Sequence, residues 1–240
     1  ELLKPSALAE NLSGAGLNAA LKLDGAFATP KVDYKITANR IVMNDMGLLG
    51  FVANGAATVN SDRIMIPVTA RVARITGLDL AAGGKLENVA LDGDLAIDGP
   101  RILSDNMRIK SDRIDAKLIL LADMSTGLYT GAVDGRLDDY RLESVGIFNV
   151  DTDMNLKAKA DGYALEGMVR ARSTRLLNDS VKEYLGGNFV ASSRVSYGSD
   201  GLARFSNLRL EAPDLRVVGG TGTYSTQTGR IVLNADGTSR

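Results

Sequence analysis

The chain has 240 residues, 28 Lys plus Arg against 29 Asp plus Glu for a net charge of -1, and no His, Cys or Trp. A nucleic-acid clamp is normally far more basic. Without imidazole or thiol there is no Ser–His or Cys–His nucleophile and no thiolate or imidazole metal site.

The length suits one large or two small domains. Twenty-six glycines beside five prolines favour many turns and narrow strands over helices. The longest apolar runs, Leu118 to Ala122 and Ile41 to Met43, fall far short of the roughly 20 residues of a membrane-spanning helix. The absence of cysteine is compatible with a reducing or an oxidising compartment. The start at Glu1, with no basic n-region and apolar h-region, and an ending strand broken off after Asp236-Gly237 read as an excised piece of a longer protein.

Residues 1–12 have a short helical look, with Leu2, Leu3, Ala7 and Leu8 suited to one face and Pro5 limiting its start. From residue 13 to 172 a period of two takes over. Leu17, Ala19, Leu21 and Leu23 alternate with polar residues, followed by Val32, Tyr34, Ile36 and Ala38, then Phe51 to Val59, and Ile64, Ile66, Val68, Ala70 and Val72. Val89, Leu91, Gly93, Leu95 and Ile97 continue the pattern, as do Met107 and Ile109, Ile114 to Leu120, and Tyr129 to Leu137.

The alternation is sharpest at 148–160. Phe148, Val150, Met154, Leu156, Ala158 and Ala160 share one face, with Asn149, Asp151, Asp153, Asn155, Lys157 and Lys159 on the other. Asp161-Gly162 then turns the chain into Tyr163, Leu165, Gly167, Val169 and Ala171, which predicts a hairpin. Residues 173–187 break the pattern: Leu177, Val181, Tyr184 and Leu185 form a helical stripe ending at Gly186-Gly187, expected over the edge or mouth of the sheet. The meander resumes over 188–240, for about fourteen strands in all. Ser61-Asp62-Arg63-Ile64 and Ser111-Asp112-Arg113-Ile114 each open a strand, which suggests a repeated unit. Asp92-Gly93 and Asp134-Gly135 sit inside the alternation, where glycine leaves room or permits a bend.

The residues offer little chemistry. Asp151 with Asp153 on a polar strand face and Asp138 with Asp139 at an expected turn are read as solvated carboxylates rather than a Ca²⁺ site or a proton-sharing pair. Gly83-Gly84-Lys85 lacks the spacing and following helix of a phosphate loop. Ser192-Ser193 has no base. Arg71, Arg74, Arg170, Arg172 and Arg175 could touch phosphates, though dispersed arginines on a wet face ordinarily serve solubility. No catalytic, metal or cofactor site is expected, and no nucleic-acid partner.

What stands out is a long one-sided meander with no segment to cover it. Two such faces could bury one another in a sandwich about 10 Å apart, giving a structural or adhesive β-repeat protein with a fully packed core. A curved sheet whose flanks fold toward each other would instead leave an apolar trough.

Leu21-Lys22-Leu23-Asp24-Gly25, Val89-Ala90-Leu91-Asp92-Gly93-Asp94-Leu95, Leu208-Arg209-Leu210-Glu211-Ala212-Pro213-Asp214-Leu215 and the Tyr197 to Leu202 hairpin resemble the TamB-type translocation and assembly module proteins of the AsmA-like group, from about residue 14 onward. The resemblance implies a mainly β, elongated antiparallel meander curled into a taco-like open groove, with one or two short helices. It also implies a periplasmic segment of a Gram-negative envelope protein, anchored in the inner membrane through an N-terminal region outside this chain. Such proteins move phospholipids between the inner and outer membranes and support outer-membrane β-barrel assembly and secretion. The lining candidates are Leu21, Leu23, Tyr34, Ile36, Val68, Leu91, Leu95, Leu118, Val133, Phe148, Val150, Met154, Leu156, Tyr163, Leu165 and Val169.

Overall fold

Alternating apolar and polar residues put one face of a strand toward a core and the other toward water, and nearly every such stretch here is a strand. A computed structural model describes residues 12–26, 29–43, 46–60, 63–78, 84–159, 162–198, 200–225 and 227–239. The expected helical lead-in up to residue 11 lies outside the described residues, as do Ser61-Asp62, Gly83, Ala160 and Asp161. The chain divides into two compact units, Glu1–Asp112 and Arg113–Arg240.

In the first unit the strands are β1 (Leu12–Ala15), β2 (Asn18–Asp24), β3 (Lys31–Met43), β4 (Met46–Val59), β5 (Ile64–Thr76), β6 (Leu86–Asp98) and β7 (Arg101–Lys110). β3 to β7 lie side by side in chain order, every pair antiparallel. β2 and β1 share the outer side of β3, pairing with its first and second halves. Gly16, at φ 65°, separates the two.

The second unit contains β8 (Ile114–Asp123), β9 (Leu128–Leu142), β10 (Gly146–Lys159), β11 (Gly162–Leu176), helix α1 (Asp179–Leu185), β12 (Val190–Gly198), β13 (Leu202–Glu211) and β14 (Leu215–Ser225). β15 (Ile231–Asn234) and β16 (Gly237–Ser239) follow. β8 to β14 again neighbour one another in sequence order, and β15 and β16 divide the outer side of β14 between them. Neither unit closes into a barrel. The protein is thus mainly antiparallel β with one short helix among the described residues.

Helix α1 starts where Asn178, in an extended conformation, accepts a hydrogen bond from the Val181 amide at 3.1 Å through its side-chain oxygen, which satisfies one of the free first-turn donors. It stops at Gly186, in the left-handed region at φ 71°. Its apolar stripe is only partly covered: Leu185 is buried, Val181 half-buried, and Leu177 and Tyr184 exposed. A helix of seven residues cannot shield a sheet of this size.

The strands bend by a recurrent device. Leu86 and Val89 are three apart, yet both are buried, at 2% and 3% exposure. A strict period of two would point them to opposite faces. Asn88, at φ 53°, takes the left-handed conformation that turns both inward, with the register to β5 unbroken across it. Asp139 and Asn207, each also at φ 53°, stand in the same relation to Leu137 and Tyr140 and to Phe205 and Leu208, where the register shifts. Asp138 and Asp139 therefore do not lie at a turn as their sequence suggested; they form a bulge within β9. Asn and Asp tolerate the left-handed region better than other non-glycine residues, which accounts for their presence at these positions.

Candidate functional site: an uncovered apolar face

Cross-strand register decides which side chains share a face, because directly opposed residues point the same way. In the second unit Leu118, Val133, Met154, Gly167 and Val195 form one row across β8 to β12. Leu120, Gly131, Leu156, Leu165 and Tyr197 form the next. Phe148 opposes Ser173, Val150 opposes Ala171, Thr152 opposes Val169, and Ala158 opposes Tyr163. All nine lining candidates of this unit thus fall on one face.

Along β10 the burial alternates as the periodicity requires. Val150, Thr152, Met154, Leu156 and Ala158 are half-buried, and Asp151, Asp153, Asn155 and Lys157 are exposed. Phe148 is the most buried of the candidates and packs edge-to-face on Phe189 at 5.8 Å. Tyr163 and Tyr197 meet at 6.1 Å; burial first, and Tyr197 second, hold the Tyr163 hydroxyl above its ordinary pKa.

The seven candidates of the first unit also share one face. Leu21 opposes Tyr34 and Leu23 opposes Val32. Ile36, Ala53, Ala70 and Leu91 make a row across β3 to β6, Val68 opposes Gly93, and Leu95 opposes Ile66. Their surroundings differ, however. Leu21 and Leu23 lie on edge strand β2 at 65% and 69% exposure, so they fringe the face rather than line a covered part of it. Tyr34 arches over Gly55 to donate a hydrogen bond to the Pro67 carbonyl at 2.6 Å, in space that a side chain at Gly55 would fill.

Glycines inside this surface leave it shallow. A Cβ on Gly167 would collide with the Asp153 carbonyl, and one on Gly93 would stand 2.7 Å from the Met107 Cα. The apolar face of the first unit also carries Phe51 and Val72, and that of the second Val195, Tyr197 and Phe205, which obey the same period of two but are absent from the candidates. It also carries three buried hydroxyls, Ser104, Ser173 and Ser193. Ser193 donates to the Ser206 carbonyl at 2.9 Å, and Ser173 accepts from the Phe189 amide at 2.8 Å.

The opposite face of the second unit is charged. Asp115, Arg136, Asp151, Arg170, Ser192 and Arg209 follow one another across six strands. A depression of about 800 Å³ opens over this row. The sequence placed a trough on the apolar face, whereas this depression lies over the charged row. Opposite charges alternate over the first four positions of the row, the cross-strand arrangement that stabilises a wet sheet surface. The like pair Asp134 and Asp153 breaks the alternation one step away. Among the described residues no group of three or more Asp, Glu, His or Cys could hold a metal ion.

No protein-family model, no curated protein and no solved structure matches the chain.

Proposed function

We propose that this chain is a non-catalytic carrier segment whose apolar face holds the acyl chains of phospholipids in transit between the inner and outer membranes of a Gram-negative envelope. The observation behind this reading is the face itself: sixteen apolar candidates on one side of their strands, mostly half-buried, with the seven-residue α1 as the one helix among the described residues.

Moving a phospholipid through water exposes its tails at about 0.8 kcal/mol per CH₂, on the order of 25 kcal/mol for two chains. A continuous apolar surface removes most of that barrier. Leu, Val, Ile and Ala contact tails without directional hydrogen bonds, so an occupant can slide. Inward glycines at 93, 131, 135 and 167 let neighbouring strands approach closely, because a Cβ at each would meet atoms of the adjacent strand. The charged reverse face keeps the sheet wetted, and the chemistry requires no nucleophile, metal or cofactor.

The resemblance to TamB-type and AsmA-like proteins supports the same reading. It adds a periplasmic location, an inner-membrane anchor outside this chain, an outer-membrane β-barrel partner and a role in outer-membrane protein assembly. The competing reading, a structural or adhesive β-repeat, needs a second apolar layer packed on this one. Met154, Leu156, Leu165 and Val169 retain partial exposure instead.

Photo-crosslinking amino acids placed at 156 and 155 test the proposal. Lipid captured at 156 and not at 155, identified by mass spectrometry, is the expected result. Equal capture at both positions, or at neither, overturns the assignment.

A further inference from the structure

The hairpin of β8 and β9 departs from the rule that governs the rest of the sheet. Leu118-Ile119-Leu120-Leu121-Ala122 is the longest apolar run of the chain, and consecutive residues in a strand point to opposite faces. Leu120 therefore joins the apolar face, while Ile119, Leu121 and Leu128 lie on the face that is charged elsewhere. Ile119 is 51% exposed, Leu121 40%, and Met124 and Leu128, in and after the turn, 65% and 61%. The tip is thus apolar on both faces and at its end.

A soluble monomer rarely shows such a patch without a use for it. A rigid docking partner covers one face of a hairpin, whereas a fluid apolar phase envelops all of it. Lys117, two residues before Ile119, and Lys157, across Thr130 from Leu121, are exposed at the border of the patch. There their charged ends can reach lipid phosphates while their stems stay with the apolar residues. The turn's acid is engaged within the turn: Asp123 accepts from the Ser125 amide at 2.9 Å and its hydroxyl at 2.5 Å.

We infer that the β8–β9 hairpin dips into the surface of a phospholipid bilayer and seats this part of the sheet on a membrane. This goes beyond the carrier reading and does not depend on it. The chain has no native cysteine, so single substitutions Leu121→Cys, Met124→Cys and Asn155→Cys can each carry an environment-sensitive dye. With vesicles of three parts phosphatidylethanolamine to one part phosphatidylglycerol, dyes at 121 and 124 should shift to the blue, and the dye at 155 should not. The double variant Met124→Asp/Leu128→Asp should lower the vesicle-bound fraction in flotation at least tenfold with an unchanged circular dichroism spectrum, whereas Val218→Asp, at an exposed apolar residue of β14, should float like the parent. Unchanged flotation of the double variant overturns the inference. So does a loss of self-association in light scattering without a change in flotation, which would make the patch an interface between copies. Failure of lipid capture at 156 with intact flotation would refute the carrier reading alone.

Discussion

Replacing Leu156 by Asp places a carboxylate in the middle of the apolar face, between Gly131 and Leu165. Leu156 is half-buried, so the apolar burial lost on folding is about half of a fully buried leucine, roughly 1 kcal/mol. In an empty trough the carboxylate still reaches water, and the folded state survives. An acyl chain laid across the position strips that water away, and even a neutral polar group without a partner then costs at least about 2 kcal/mol. Since 1.36 kcal/mol is a factor of ten, lipid occupancy at this position should fall about thirtyfold or more. Asn155→Asp makes the same acid one residue away on the wet face, where substitutions stay within about 0.5 kcal/mol. Urea denaturation reports the folding cost of each variant, and quantitative mass spectrometry of co-purified lipid reports occupancy. Equal lipid content in the two variants, with both folded, would refute the reasoning.

Phe148→Ala should cost about 3 to 5 kcal/mol in urea denaturation, because it removes a buried ring and its edge-to-face partner Phe189. Gly167→Val should lower the melting temperature far more than Gly198→Ala, since a Cβ at 167 meets the Asp153 carbonyl whereas one at 198 has its nearest neighbour at 3.3 Å. Asn178→Ala should remove about 1 kcal/mol by uncapping α1, with Asn178→Asp restoring most of it. The hydrogen bond and charge of Arg204 hold the Asp200 carboxyl below its ordinary pKa. A carboxyl depressed on folding contributes stability above its unfolded pKa and loses it as pH falls through the folded value. Carboxyl chemical shifts should accordingly show Asp200 titrating below an ordinary aspartate, and Arg204→Gln should bring its midpoint up.

Period two made most of this architecture readable from the chain. Strands β2 to β15 coincide with the alternating segments, and the register puts each lining candidate on the expected face. β1 and β16 were missed because Leu-Ser-Gly-Ala and Gly-Thr-Ser are too short to show a period. The left-handed residues within strands were missed for a different reason. An apolar pair three apart, such as Leu86 and Val89, looks like a lapse of alternation unless the intervening Asn88 is recognised as able to take a positive φ. The same oversight turned Asp138-Asp139 into a turn. The depression on the charged face was not legible either, because the alternation of a row says which side it faces and not how the surface is shaped. The apolar stripe over residues 177–185 was legible from its spacing, whereas its uneven burial, with Leu185 covered and Tyr184 exposed, was not.

The divided outer sides of β3 and β14 carry a consequence for how these molecules behave when crowded. A long unbroken strand at the rim of a sheet is a template on which other chains can add, and an apolar sheet is the kind most prone to it. Here each rim is occupied by two fragments, of four and seven residues at β3 and of four and three at β14. Gly16 and Asp236 interrupt the line of free amides and carbonyls between them. A change that let either pair of fragments run on as one continuous strand would make that rim a better seed for fibrous growth.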